Sequence, residues 1–111
     1  MILDYKTMET TVLPNFKGGE KEYAAQMFFD GTNRIMKGKL IPGASIGLHT
    51  HETNSEMIYV LEGEGCMILD GQEEILRADM CHYCPKGHSH GIVNDSDAPL
   101  ELFAVLPAKQ A

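Results

Sequence analysis

The sequence predicts an all-β, single-domain jelly-roll barrel, on three observations. Short apolar runs follow one another along the 111 residues, none with a helical period. Gly, Pro, Asn and Asp stand between the runs as punctuation, with no linker, repeat or low-complexity tract. About ten short antiparallel strands must also close on themselves or bury their edges, which a jelly roll does.

Taken in order, residues 1–17 read as an N-terminal arm carrying a strand or a short helical turn, and residues 18–111 as the barrel domain, opened by the Gly18-Gly19 break. Glu22 to Phe29 and Arg34 to Ile41 read as strands joined by the turn Asp30-Gly31-Thr32-Asn33. Pro42-Gly43 breaks the chain before a strand over 45–51, and the polar run Glu52 to Ser55 turns it into a strand over 56–62. Cys66 to Leu69 and Glu74 to Leu76 flank a second tight hairpin at Asp70-Gly71. Met80 to Cys84, the turn Pro85-Lys86-Gly87, Ser89 to Val93, the polar turn Asn94 to Pro99 and the strand Leu100 to Leu106 complete the domain.

The chemistry concentrates between Gly43 and Gly63. Alternate residues of a strand leave by one face, so His49 and His51 point the same way, about 7 Å apart along the backbone. If the run from Glu56 folds back on that strand, its carboxylate joins the two imidazoles. Such a group can grip one ion.

These residues resemble the first signature of the cupin family: Gly43, five residues, His49-Thr50-His51, four residues, Glu56, six residues, Gly63. The second signature follows as Pro85-Lys86-Gly87, His90 and Asn94, with Ala78-Asp79 where the family usually has Gly-Asp. The likeness spans about residues 34–106. It implies a double-stranded β-helix and a metal site made by His49, His51, Glu56 and His90. Three neutral imidazoles and a carboxylate suit one divalent transition metal (manganese, iron, nickel, cobalt or zinc) better than calcium or magnesium. Four such ligands leave two positions of an octahedral ion for a substrate or dioxygen.

Catalytic roles are assigned to Glu56 and to His88, which strand alternation puts on the side of His90, at the pocket mouth, as a proton shuttle or supporting group. His82 has no motif position and reads as structural. Cys81 and Cys84 face opposite sides of a strand, about 10 Å apart, so they form neither a redox pair nor a zinc site. Cys66 reads as a small core residue. Ile58 and Val60 share the Glu56 side as an apolar wall, with Met27, Phe29, Met36 and Phe103 as further candidates. Arg34 and Lys39 are candidate cations for a substrate carboxylate, whereas Glu62 and Glu64 read as surface.

A net charge of -7, from 9 basic and 16 acidic residues, argues against nucleic acid. No apolar run suits a membrane helix, and the acidic start MILDYKTMETT does not suit a secretion signal. Three cysteines, an odd number, fit a reducing, cytoplasmic setting. A small-molecule ligand is the expected partner. The family resemblance implies a homodimer, and the apolar run Tyr23 to Phe29 suggests exchange of an N-terminal strand between subunits. Three functions fit: a lyase, decarboxylase or isomerase acting on a small organic or sugar acid chelated at the ion; an iron dioxygenase; or a non-catalytic module binding a small ligand. The retained carboxylate and the lack of a DNA-binding segment favour the first.

Overall fold

The computed structural model of the chain describes residues 1–107, so the last four residues of the domain expected over 18–111 lie outside the described residues. The described residues form β1 (Thr11–Pro14), β2 (Glu22–Phe29), β3 (Arg34–Leu40), β4 (Ser45–Thr50), β5 (Glu56–Glu62), β6 (Glu64–Leu69), β7 (Gln72–Arg77), β8 (Cys81–Cys84), β9 (Ser89–Val93) and β10 (Leu100–Leu106), with a 3-10 turn at Phe16–Gly18. Two sheets result, ordered β1-β2-β3-β10-β5-β8 and β4-β9-β6-β7. Neighbours distant in sequence, such as β3 beside β10 and β4 beside β9, give the jelly roll.

Local chemistry sets the turns. The Asp30 carboxylate accepts the backbone N–H groups of Thr32 at 2.9 Å and Asn33 at 2.8 Å, closing the β2–β3 hairpin. Asp70 and Gly71 both have positive φ, 49° and 82°, as a type I′ hairpin requires. The turn before β8 forms without the family's glycine: Ala78, in its place, is not among the residues of positive φ, while Asp79 takes φ 71° and its N–H donates to the Val60 carbonyl.

The core lies between the sheets around Leu40, Val60, Met67, Ile92, Leu100 and Leu102. Tyr23 is also buried, its ring lying where a side chain on Gly38 would stand. β1 pairs along the chain's own β2, from Thr11 opposite Ala25 to Pro14 opposite Glu22. Cys81 is exposed and Cys84 buried, so they do face opposite sides.

Two expectations about side-chain direction change. Cys66 is not a core residue: it lies half-buried between the buried Gly65 and Met67, which take the inner face of β6. Phe103 and Phe29 are not cavity walls. Phe103 faces outward, edge-on to Tyr5 at 5.9 Å between centroids, and Phe29 is exposed under the Arg34 guanidinium at 4.4 Å.

Candidate metal centre

Strand pairing brings the predicted ligands together. β4 and β9 run antiparallel with His49 directly opposite His90, and the register shifts between Ile46 and His49. Ile46 and His49 are three residues apart, an odd spacing that would put them on opposite faces of a regular strand. The bulge lets the buried Ile46 serve the core and turns the next imidazole toward the same cavity. Beyond β4 the chain stays extended: the His51 N–H donates to the His88 carbonyl at 3.0 Å, and the Gly87 N–H to the His51 carbonyl at 2.6 Å. Glu56 enters from the other sheet as the first residue of β5, buried and opposite Cys84.

One donor atom from each of His49, His51, Glu56 and His90 lies within 4.8 Å of every other. Glu56 Oε1 is 3.0 Å from His51 Nε2 and 3.0 Å from His90 Nε2. The outer nitrogens are engaged elsewhere. His49 Nδ1 donates to the Gly47 carbonyl at 2.7 Å, and His51 Nδ1 donates to Asn54 Oδ1 at 3.1 Å. His90 Nδ1 lies 3.1 Å from His82 Nε2. Three Nε2 atoms and a carboxylate converge on one point, and a cation that displaced the protons shared with Glu56 would find the Nε2 lone pairs turned toward it by the outward Nδ1 contacts.

The electrostatics agree. Burial works against the charge of Glu56, yet hydrogen bonds from His51 and His90 outweigh it and hold its carboxyl at about 2. The hydrogen bond to Glu56 pushes His51 above the usual histidine value, whereas burial pulls His49 below it. The cluster keeps its negative charge and attracts positive charge.

The four residues face a cavity of about 580 Å³. Its walls are mostly apolar, with Met36, Ile46, Ile58, Met67, Ile92 and Leu102 among them, and Lys17, Arg34 and Glu52 also line it. Of the two candidate cations only Arg34 reaches it; Lys39 pairs with Glu101 at 3.7 Å. Glu62 and Glu64 are exposed, as expected. Val60 is fully buried in the core but does not line the cavity. His88 does not line it either: it lies in the turn before β9, half-exposed, with Nδ1 hydrogen-bonded to the Asp70 carboxylate.

The residue that sequence reasoning missed is His82. It is buried on the inner face of β8, with Nε2 on His90 and Nδ1 3.0 Å from Glu74 Oε1. Burial pulls it below the usual histidine value, so it stands neutral. The one available signal was alternation with Cys84, and it does not say which pair turns inward.

Residues 36–106 match the protein family described as "Cupin domain". The chain is a cupin. The "Oxalate-binding protein" of Thermotoga maritima is 33% identical over 101 residues, covering 85% of this chain and 83% of its own. A crystal structure from Thermotoga maritima described as a "predicted oxalate decarboxylase" superposes with a TM-score of 0.91 at 29% identity, covering 97% of this chain and 99% of that one. KdgF from Halomonas sp. superposes at 0.80 over 99% of this cupin and 96% of its own chain; at 16% identity that is a likeness of fold.

Proposed function

We propose that this cupin holds one divalent transition-metal ion through His49, His51, Glu56 and His90, and acts on a small organic acid of the oxalate class as a metal-dependent lyase or decarboxylase. The observation that carries the reading is the convergence of four donor atoms within 4.8 Å at the wall of a cavity. Manganese, iron, nickel, cobalt and zinc all suit the donor set, and an ion held there supplies Lewis-acid charge and open coordination positions. The chain's own residues do the rest. Lys17 and Arg34 offer positive charge to an anion in a protein of net charge -7, and the apolar walls exclude water from around it.

A second reading, a binding cupin without turnover, is favoured by one observation. Among the described residues, the only carboxylate besides Glu56 lining the cavity is the exposed Glu52, and decarboxylation needs a proton donor for the carbon that loses carbon dioxide. The name of the Thermotoga maritima relative also points to oxalate binding.

Elemental analysis of untagged protein, followed by calorimetry with oxalate and assays of carbon dioxide release and dioxygen uptake, separates these readings. Carbon dioxide release without dioxygen uptake supports the lyase. Oxalate binding without turnover supports the binding module, and substrate-dependent dioxygen uptake with iron supports the dioxygenase. Protein that takes up no metal overturns the proposal.

Assembly as a homodimer is part of the same reading. Tyr83, Met57, Val105, Ile35 and Phe28 align in register across β8, β5, β10, β3 and β2, an unbroken apolar row on the outer face of the larger sheet. Tyr83 is 53% exposed, and a second copy would cover this row. Light scattering at micromolar concentration is expected to give a dimer, and Met57→Glu a monomer. The cytoplasm is the proposed setting, where the free thiols of Cys66, Cys81 and Cys84 stay reduced.

A further inference from the structure

We propose that Glu74 and His82 are positioning residues that set the tautomer of His90, and so decide whether its Nε2 faces the cavity as a lone pair or as an N–H. The inference rests on the metal reading above and deepens it.

Three groups run in line from the surface to the site. Glu74 Oε1 lies 3.0 Å from His82 Nδ1, and His82 Nε2 lies 3.1 Å from His90 Nδ1. His90 Nε2 then lies 3.0 Å from Glu56 Oε1. A neutral imidazole carries one N–H and one lone pair, and a carboxylate only accepts. Glu74 therefore draws the His82 proton to Nδ1, which leaves His82 Nε2 as an acceptor, whereas Glu56 at the other end draws the His90 proton to Nε2. Where the pull of Glu74 prevails, His90 donates from Nδ1 and its Nε2 is left bare toward the other ligands.

Without Glu74 the opposite setting opens. His82 would carry its proton at Nε2 and donate it to His90 Nδ1; His90 would then carry its proton at Nε2, where it cannot bind a metal. No proton is gained or lost between the settings, since one proton moves from Nδ1 to Nε2 in each ring.

The placement supports a directed role. His82 has a side chain only 1% exposed, whereas Glu74 is 46% exposed and reaches inward to it. Glu74 sits on β7, an edge of the smaller sheet, and His82 on β8, an edge of the larger one. His49 and His51 need no such arrangement, because Gly47 and Asn54, two and three residues away, hold their outer nitrogens. Only His90 depends on groups from two other strands.

The plain alternative is that the Glu74–His82 pair merely pins the two sheet edges. Nitrogen-15 NMR of the imidazoles in metal-free protein, with cobalt(II) titration of wild type, Glu74→Ala, Glu74→Asp and His82→Phe, distinguishes the two. The expected result is a larger share of His90 protonated at Nδ1 in wild type than in Glu74→Ala, where the proton shifts toward Nε2. Cobalt affinity should fall about 10- to 100-fold in Glu74→Ala and His82→Phe, the range usual for lost partners of a metal-bound histidine. Glu74→Asp should recover part of both effects, and the thermal midpoint of metal-free Glu74→Ala should match wild type. An unmoved His90 tautomer with wild-type affinity overturns the proposal, as does a loss of affinity that only tracks lost stability. Wild-type protein that binds no cobalt overturns the metal reading instead, while the tautomer measurement, which needs no ion, decides this inference alone.

Discussion

His51 and His90 meet Nε2 to Nε2 at 2.8 Å, although they come from segments 39 residues apart. One ring can donate to the other at this distance, and a cation beside the Glu56 carboxylate would instead take both lone pairs. The contact draws residues of two strands and one carboxylate into a single cluster that could hold an ion.

The first prediction follows from it. His49→Ala and Glu56→Ala should each lose stoichiometric zinc or manganese while the far-ultraviolet circular dichroism of the barrel is retained, because neither residue belongs to the apolar core cluster. In wild type, metal at about 100 times its Kd should add about 2.7 kcal/mol of stability. Calorimetry with and without chelator checks this, and full metal retention in both variants would refute the ligand assignment.

Gly47 carries the second. A side chain there would strike the Lys17 carbonyl and stand 3.0 Å from the Gly18 backbone, while the Gly47 carbonyl holds His49 Nδ1. Gly47→Ala should push the 3-10 turn off β4, cost roughly 1–3 kcal/mol in urea unfolding, and weaken metal binding. A wild-type unfolding midpoint would show that the turn yields freely.

Asn94, the last residue of the second signature, should matter to the fold and not to the ion. Fully buried, it donates to the carbonyls of Leu40 and Ala98, both at 2.8 Å, and its Oδ1 accepts from the backbone N–H and hydroxyl of Ser96. Asn94→Ala should cost about 1–3 kcal/mol for the buried polar groups it strands. Metal affinity measured on the folded fraction should not change; a fall there would give Asn94 a part in the site.

The thiols should separate by accessibility. Burial, aided by the charges of Glu56 and Asp70, pushes the Cys84 thiol to about 11, and burial raises Cys66 as well. A thiol reagent at pH 8 should modify the exposed Cys81 first and Cys84 only on unfolding. Mass mapping of the labelled protein checks the order.

Much of this arrangement is legible in the sequence because a strand has a period of two and a tight turn needs particular residues. The expected strands at 22–29, 56–62, 89–93 and 100–106 have the observed bounds. β7 runs longer than the apolar run that marks it, since an edge strand bonded on one side can carry Gln72, Glu73 and Glu74. Alternation relates residues within a strand but does not say which set turns inward. The half-buried side of Cys66 is hidden on that account, and so is the inward turn of His82: Cys-His-Tyr-Cys offers two mixed pairs, and only pairing with β5 sends His82 and Cys84 inside. The bulge between Ile46 and His49 has no compositional mark beyond Gly47.

The donors are divided between the sheets: His49 and His90 stand on β4 and β9, His51 follows β4, and Glu56 opens β5 across the barrel. A cation gripped by all four would act as a bolt through the sandwich, and any breathing that parts the layers would have to release Glu56 or the imidazoles first. Loading the site and stiffening the barrel are then one event, so solution conditions that loosen the layers also govern how long an ion stays.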